Sequence, residues 1–296
     1  MSDALDQTPC LGNLCQGILA YTPHVGENIT PITGLSLYRR IAQTPCYRAI
    51  YDPSLTLFAQ GAKAVNVGGV DYQGMAGRFL ISSVDLPVQS QVIEASAEKP
   101  LLSMLLSIDS SMLREVIAQR EPQPVRPVQG ALALGQAPLS LIDACARLVG
   151  LLDCPQDIGF MAPLIQREIY YRLLQTPQAA RLHAIASASD HSHRTARAIG
   201  WLRRNYDQPL RIEALADLAS MGVSTLHHHF RAMTAMSPLQ YQKQLRLQAA
   251  REKMIGGLDA TGAAYAVGYE SVSQFNREYA RLFGQPPLRD MRALKA

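Results

Sequence analysis

The chain has 296 residues, 48% of them apolar and 18% charged, which suits about two globular domains and excludes disordered and fibrous classes. No uncharged apolar run of about 18 residues occurs, and the opening MSDALDQTPC lacks a basic-then-apolar order, so a cytoplasmic setting without membrane contact is expected. The net charge of +4 is unevenly placed: residues 1–193 carry 13 Lys and Arg against 16 Asp and Glu, whereas residues 194–296 carry 15 against 8, which makes the last third the expected partner of a polyanion.

The five cysteines, Cys10, Cys15, Cys46, Cys145 and Cys154, have no C-x-x-C spacing and no nearby histidine that would complete a zinc set. They are expected to be reduced thiols, with a redox or electrophile sensor at Cys10 and Cys15 as the other reading. From about residue 30 to 108 short pieces alternate apolar and polar residues between Gly, Pro, Asp and Asn: GLSLYRR, LTLFAQGAKAVNVGG, VDYQGMAGRFLISSV, VQSQVIEAS and LLSMLLSID. This predicts a small antiparallel barrel or sandwich. Helices are predicted over Ser110–Arg120, Leu139–Leu152 and Pro163–Leu174, the first set apart by the Pro-rich stretch 121–130. A small polar stretch, ASASDHSHRTAR (186–197), reads as a linker between a first domain over 1–185 and a second over 198–296.

Sliding the last hundred residues over themselves by 49 positions lays Leu226 on Phe275, Phe230 on Tyr279, Ala235 on Gly284, Pro238 on Pro287 and Leu239 on Leu288. Apolar residues at i and i+4, closed by a small residue and a proline, therefore occur twice. A shorter helical piece precedes each copy, RIEALADLAS (211–220) and DATGAAYAVG (259–268), with a turn containing Gly222 or Gly268 between. Helix, Gly-bearing turn and second helix form a helix-turn-helix, whose second helix enters the DNA major groove. With Leu226, Phe230 and Met233 inward, Ser224, His227, His228 and Arg231 face outward. With Phe275, Tyr279 and Leu282 inward, Val272, Ser273, Asn276, Arg277 and Ala280 face outward, and Ser271 is placed to cap the helix. The segment 238–255, with apolar Leu239, Leu245, Leu247, Ala250 and Met254, is a helix of about 27 Å, long enough to set the two units about one DNA turn apart. Arg231, Arg246, Arg251 and Lys253 are candidate phosphate contacts. The run His227, His228, His229 is not read as a metal site, because neighbours on a helix diverge by about 100°.

The second unit, AYAVGYESVSQFNREYARLFGQPPLRDMR, resembles the AraC/XylS family of bacterial transcription regulators, whose pattern is I-A-x-x-x-G-F-x-S-x-S-x-F-x-R-x-F-x-x-x-F-G-x-x-P-x-x-Y-R. Ala266, Gly268, Tyr269, Ser271, Ser273, Phe275, Arg277, Tyr279, Phe283, Gly284, Pro287 and Arg292 fall on or near it, and the likeness covers about 195–296. The first 180 residues resemble, more loosely, the ligand-sensing half of that family. The resemblance implies an α+β two-domain chain: an N-terminal cupin-like antiparallel β-barrel with helices, and a C-terminal all-α double helix-turn-helix. It implies contacts to double-stranded promoter DNA at Ser224, His227 and His228 with neighbouring Thr225 and Arg231, and at Ser271, Val272, Ser273, Asn276 and Arg277. It also implies an activator that works with RNA polymerase, a small-molecule effector and a homodimer joined through helices at 139–174. Three departures stand out. Gly222 replaces the first unit's capping serine, Met291 replaces the last aromatic, and His228 stands where a stronger cation is expected, making that contact softer and sensitive to pH.

A metal-bearing barrel needs an H-x-H set, and His24 is the one histidine before residue 180, so the barrel is read as a binding pocket without metal, cofactor or catalytic residues. Tyr38, Arg39, Tyr47, Tyr51 and Arg78 are its candidate lining, each equally readable as a packed aromatic or a surface charge. No phosphate-binding G-x-x-x-x-G-K-[ST] loop or nucleophile turn occurs. The competing reading is an enzyme or repair protein fused to a DNA-binding module, which would need a reactive cysteine near the basic half.

Overall fold

The computed structural model describes residues 8–120, 130–186 and 191–295. The chain divides into two compact units, Met1–His193 and Arg194–Ala296.

The first unit opens with α1 (Thr8–Ala20) and continues through β1 (Gly26–Ile29), β2 (Leu35–Arg40), β3 (Tyr47–Tyr51), β4 (Ser54–Gln60), β5 (Ala62–Val67), β6 (Val70–Met75), β7 (Arg78–Ser82), β8 (Leu86–Glu94) and β9 (Leu101–Ser107). It closes with α2 (Ser110–Ala118), β10 (Leu132–Gln136), α3 (Leu139–Gly150), α4 (Ile158–Leu173) and α5 (Ala179–Ala186). Every strand pair is antiparallel, in a six-stranded sheet ordered β1-β2-β9-β4-β7-β10 and a four-stranded sheet ordered β3-β8-β5-β6. The expected closed barrel is thus corrected to two separate sheets: among the described residues no ladder joins them, and edge strands remain at β1, β10, β3 and β6.

Period-two alternation explains the layering. Leu35 and Leu37 of β2, Leu55 and Leu57 of β4, Phe79 and Ile81 of β7, and Met104 and Leu106 of β9 belong to one core with Leu14 and Ile18 of α1, Leu141 and Leu148 of α3, and Ile165 and Ile169 of α4. The alternate residues turn to the four-stranded sheet; Phe58 of β4, for instance, lies against Gly74 of β6. Tyr170 ties helix to sheet: its hydroxyl donates to the Ser107 carbonyl at 3.3 Å and accepts from the Asp109 amide at 2.8 Å, and burial raises its pKa to about 12. The predicted strands between 34 and 109 are present; α1, β1, β3 and β10 were not foreseen. Where a helix was expected to begin at Pro163, α4 starts at Ile158 and carries Pro163 inside. Of the Pro-rich stretch, 121–129 lies outside the described residues.

The second unit is helical: α6 (His191–Arg204), α7 (Ile212–Leu218), α8 (Val223–Thr234), α9 (Pro238–Ile255), α10 (Ala260–Ala266), α11 (Val272–Phe283) and α12 (Pro287–Lys295). The expected linker at 186–197 is corrected from His191 onward, because Thr195, Ala198, Ile199 and Leu202 are fully buried at helical spacing. The two repeats match in register: α8 and α11 have 12 residues each and start 49 positions apart. Both end on a left-handed residue, Ala235 at φ 60° and Gly284 at φ 82°, whose amide donates at 2.8 Å to the carbonyl of Arg231 or Ala280. The prolines at 238 and 287 then open α9 and α12, α9 with a full capping box between Ser237 and Gln240.

The repeats differ at their turns. The left-handed turn residue is Ser220 (φ 52°) in the first and Gly268 (φ 85°) in the second, while Gly222 sits at φ −70° as the cap of α8 without a side-chain hydrogen bond. The first turn was expected to rely on Gly222; a serine takes the strained position instead. Ala235→Gly is expected to raise stability by about 0.5–1 kcal/mol, since it removes a left-handed β-carbon at modest entropic loss. Urea denaturation followed by Trp201, the single tryptophan and a member of α6, would measure it; a destabilised variant would contradict the strain assignment.

Candidate functional site

Burying Leu226 and Phe230 fixes what α8 shows to solvent. Ser224, His227, His228 and Arg231 are exposed, whereas Thr225 and His229 are half-buried. The His228 and His229 rings meet edge to face at 5.3 Å, so they diverge and do not converge on one point. On α11, Phe275 and Tyr279 are buried while Ser273, Asn276 and Arg277 are exposed and Val272 and Ala280 half-buried. Ser271 caps α11, its hydroxyl accepting from the Gln274 amide at 3.3 Å. The predicted residues thus form two polar faces at matching positions of the repeat, each at the N-terminal half of its helix. Among the described residues, no group of three or more His, Cys, Asp or Glu is arranged to hold a metal.

Two cations read as phosphate contacts are engaged inside the unit, and that reading is corrected. Arg246 donates to the carbonyls of Tyr206 (2.6 Å), Gly268 (2.8 Å), Gln208 (2.9 Å) and Asp207 (3.2 Å). Gln242, one turn earlier on α9, adds bonds to the Tyr206 and Gln208 carbonyls. The middle helix is thereby clamped to the loop before α7 and to the turn that aims α11. Arg251 forms a two-pronged pair with buried Asp290 at 2.7 and 3.2 Å, and its guanidinium lies 4.9 Å from the Phe283 ring centre. Tyr279 donates to the same carboxylate at 2.7 Å and Gln285 at 3.2 Å. Burial opposes ionisation of Asp290, but Arg251, Tyr279 and Gln285 outweigh it and hold the carboxyl below its ordinary pKa. Met291, in place of an aromatic, packs against the apolar cluster around this network. Arg231 and Lys253 remain exposed, as do Arg292 of the family pattern and Arg281 and Arg289, which the reading of the sequence passed over. Leu239 and its repeat partner Leu288 are also exposed, at 62% and 67%, so the apolar stripe of α9 begins later than expected.

In the first unit, Tyr47 and Tyr51 come together around a residue the sequence reading missed, and Tyr38 on β2 is close enough to act on Tyr51. The Lys63 ammonium lies 5.7 Å from the Tyr47 ring centre and 5.3 Å from that of Tyr51. The Tyr51 hydroxyl is 3.1 Å from that of buried Ser90. Burial works to raise the Tyr47 pKa, but Lys63, hydrogen bonds from Ser90 and Lys63, and Arg40 bring it below its ordinary value. The Tyr38 hydroxyl donates to Glu27 at 2.6 Å, and its pKa is raised by burial first and by that carboxylate second. Alternation carried the signal for Lys63: in AKAVNV it shares a face with Val65 and Val67, both buried. Arg39 does not join the group; it turns to the helix side of β2 and donates to the Thr22 carbonyl at 3.3 Å. Arg78 is half-buried at the start of β7, paired in the ladder with Gln136. The sensor reading of Cys15 is weakened, because its thiol donates to the Ala59 carbonyl at 3.3 Å and burial raises its pKa.

Comparison with known proteins places these features. Residues 31–181 match the family model described as AraC-type transcriptional regulator N-terminus, and residues 215–293 match a helix-turn-helix domain. An HTH-type transcriptional activator RhaS of Pectobacterium atrosepticum is 31% identical over 148 residues, 47% of this chain and 53% of that protein. The chain thus spans about half the length of the curated relative it matches. Among solved structures, unsaturated fatty acid-bound ToxT from Vibrio cholerae is similar over 87% of this chain and 94% of its own, with TM-score 0.56 and 12% identity. ToxT bound to (E)-4-(8-methylnaphthalen-1-yl)but-3-enoic acid is similar over 83% and 93%, with TM-score 0.54 and 12% identity. The ToxT likeness supports the fold, two antiparallel sheets with helices followed by a helical double helix-turn-helix. With one family model covering half of the chain and the helix-turn-helix model much of the remainder, the protein belongs to the AraC-type family of transcriptional regulators.

Proposed function

We propose that the chain is a cytoplasmic, sequence-specific DNA-binding regulator of transcription, without catalytic activity, whose N-terminal unit senses a small molecule. One observation carries the DNA-binding part: two capped or closely packed helices repeat at 49-residue spacing and turn matching polar faces outward from one basic unit. The rigid α9 between them spans about 27 Å, near the rise of one DNA turn, so each face can enter a successive major groove. Base contacts are assigned to Ser224, His227 and His228 in α8 and to Val272, Ser273, Asn276 and Arg277 in α11. Thr225, Arg231 and Ser271 flank them as candidate backbone contacts. Arg277→Ala should weaken specific binding by roughly 1–3 kcal/mol in gel-shift titrations run at two salt concentrations. Equal loss on scrambled DNA would move Arg277 to a phosphate contact, and no salt-sensitive complex at all would overturn the DNA-binding reading.

The activator role and a contact with RNA polymerase are proposed from the RhaS likeness, and stimulated transcription from a bound promoter in vitro would test them; repression would reverse the sign. A homodimer is proposed through α4, where Phe160 (76% exposed), Met161 and Leu164 present an apolar stripe. Phe160→Lys should shift the protein to monomer in analytical ultracentrifugation, and an unchanged dimer would exclude that face. The acid-bound ToxT structures support a small-molecule effector for the N-terminal unit, and the polar group around Lys63 is its proposed seat. The enzyme or repair alternative gains nothing from the cysteines, all of which lie at or before residue 154.

A further inference from the structure

Resting on the reading of the N-terminal unit as a sensor, we propose that its effector is a small organic carboxylate with an apolar body, its carboxylate held by Lys63 with the hydroxyls of Tyr47 and Tyr51. Lys63 stands in the middle of the four-stranded sheet, on the face turned to the other sheet, where β5 is flanked on one side by β8 and on the other by β6. Its ammonium lies against the two tyrosine rings, and no carboxylate is paired with it among the described residues. Burial works against the Lys63 charge, but Tyr51 and Tyr47 outweigh it and hold the ammonium in its charged form. The surrounding charges do not supply the missing anion. Arg40 adds a second positive charge close enough to act on both Tyr47 and Tyr38, and Glu27 is held by the Tyr38 hydroxyl and is itself exposed.

The floor of the site has different chemistry. Val65, Val88, Val92 and Ser90, all buried, share one face of the four-stranded sheet with half-buried Tyr47, Tyr51 and Lys63. An apolar floor with a few convergent polar groups at its rim is the usual form of a small-molecule site. A single unpaired ammonium matches a single carboxylate, and the valines and tyrosine rings match a hydrocarbon or aromatic body. The tyrosine hydroxyls can accept from the Lys63 ammonium and donate their own protons to the bound oxygen, so that Lys63 and the carboxylate share a network without rearranging the sheet.

The test uses the full chain with octanoate, phenylacetate and benzoate, each set against its primary amide, in isothermal titration and thermal melting. At least one acid should bind and raise the melting temperature while its amide does not. Lys63→Met should weaken that acid by about tenfold or more, Lys63→Arg should restore part of the affinity, and Tyr47→Phe should weaken it less than Lys63→Met. Should Lys63→Met fail to fold, Lys63→Arg and Tyr47→Phe decide the matter alone, since neither removes the bulk that packs the sheet. Acids and amides binding alike, no acid binding at all, or Lys63 variants with native affinity would each overturn the proposal. These readouts involve no DNA, so failure here leaves the gel-shift outcome untouched, and failure of the gel shift leaves this one.

Discussion

Gly268→Ala is expected to destabilise the C-terminal unit by roughly 3–5 kcal/mol, the largest effect of any single methyl addition in that unit. Two independent causes add. The residue sits at φ 85°, where a β-carbon is strained by about 1–2 kcal/mol. A β-carbon built there would also collide with the Asp207 carbonyl, whose carbon lies 2.9 Å away, and reach within 3.1 Å of an Arg246 guanidinium nitrogen. Neither neighbour can retreat freely, because Arg246 holds the Asp207 and Gly268 carbonyls together. For a unit of about 100 residues the melting temperature should fall by more than about 10 °C, read from Trp201 fluorescence. A loss below about 1 kcal/mol would mean that the loop is not held against the turn.

Arg246→Met comes next, with an expected loss of about 3–4 kcal/mol, because hydrogen bonds from a cation are worth more than neutral ones and four carbonyls, two of them in partly buried contacts, lose the guanidinium together. Methionine keeps the stem that packs along α9, so the change reports the guanidinium itself. Gln242 still serves two of the four carbonyls, which keeps the loss below a simple sum. Arg246→Lys should fall between, since one ammonium cannot reach carbonyls spread over both the loop and the turn. The two roles assigned to this residue separate cleanly: a phosphate contact would leave thermal stability unchanged and lower the salt slope of DNA binding by about one, whereas a clamp lowers stability first.

What could be read from the sequence, and what could not, follows from how local each signal is. The double repeat was legible because a buried helical face, a left-handed terminator and a proline all lie within 20 residues, and burial of Leu226, Phe230, Phe275 and Tyr279 then dictates which neighbours face solvent. The roles of Arg246 and Arg251 were not legible, because their partners are backbone carbonyls 22–40 positions away and a carboxylate 39 positions away. Barrel closure failed for the same reason: alternation tells which face of a strand is buried but not which edges pair. Helix α1 escaped notice because TPCLGNLCQGILA carries two glycines that interrupt its apolar pattern, although Leu14 and Ile18 are fully buried at helical spacing. Lys63 could have been found, as a charge on the apolar side of an alternating strand.

The account turns on α8 and α11 reading successive grooves, and hydroxyl-radical footprinting of the intact protein on its own selected DNA site tests that most directly. Two protected patches about ten base pairs apart on one face of the duplex are predicted, with Arg277→Ala thinning the patch under α11 and sparing the other. A single patch, or loss of both patches together with the folded state of the variant unchanged, would contradict it.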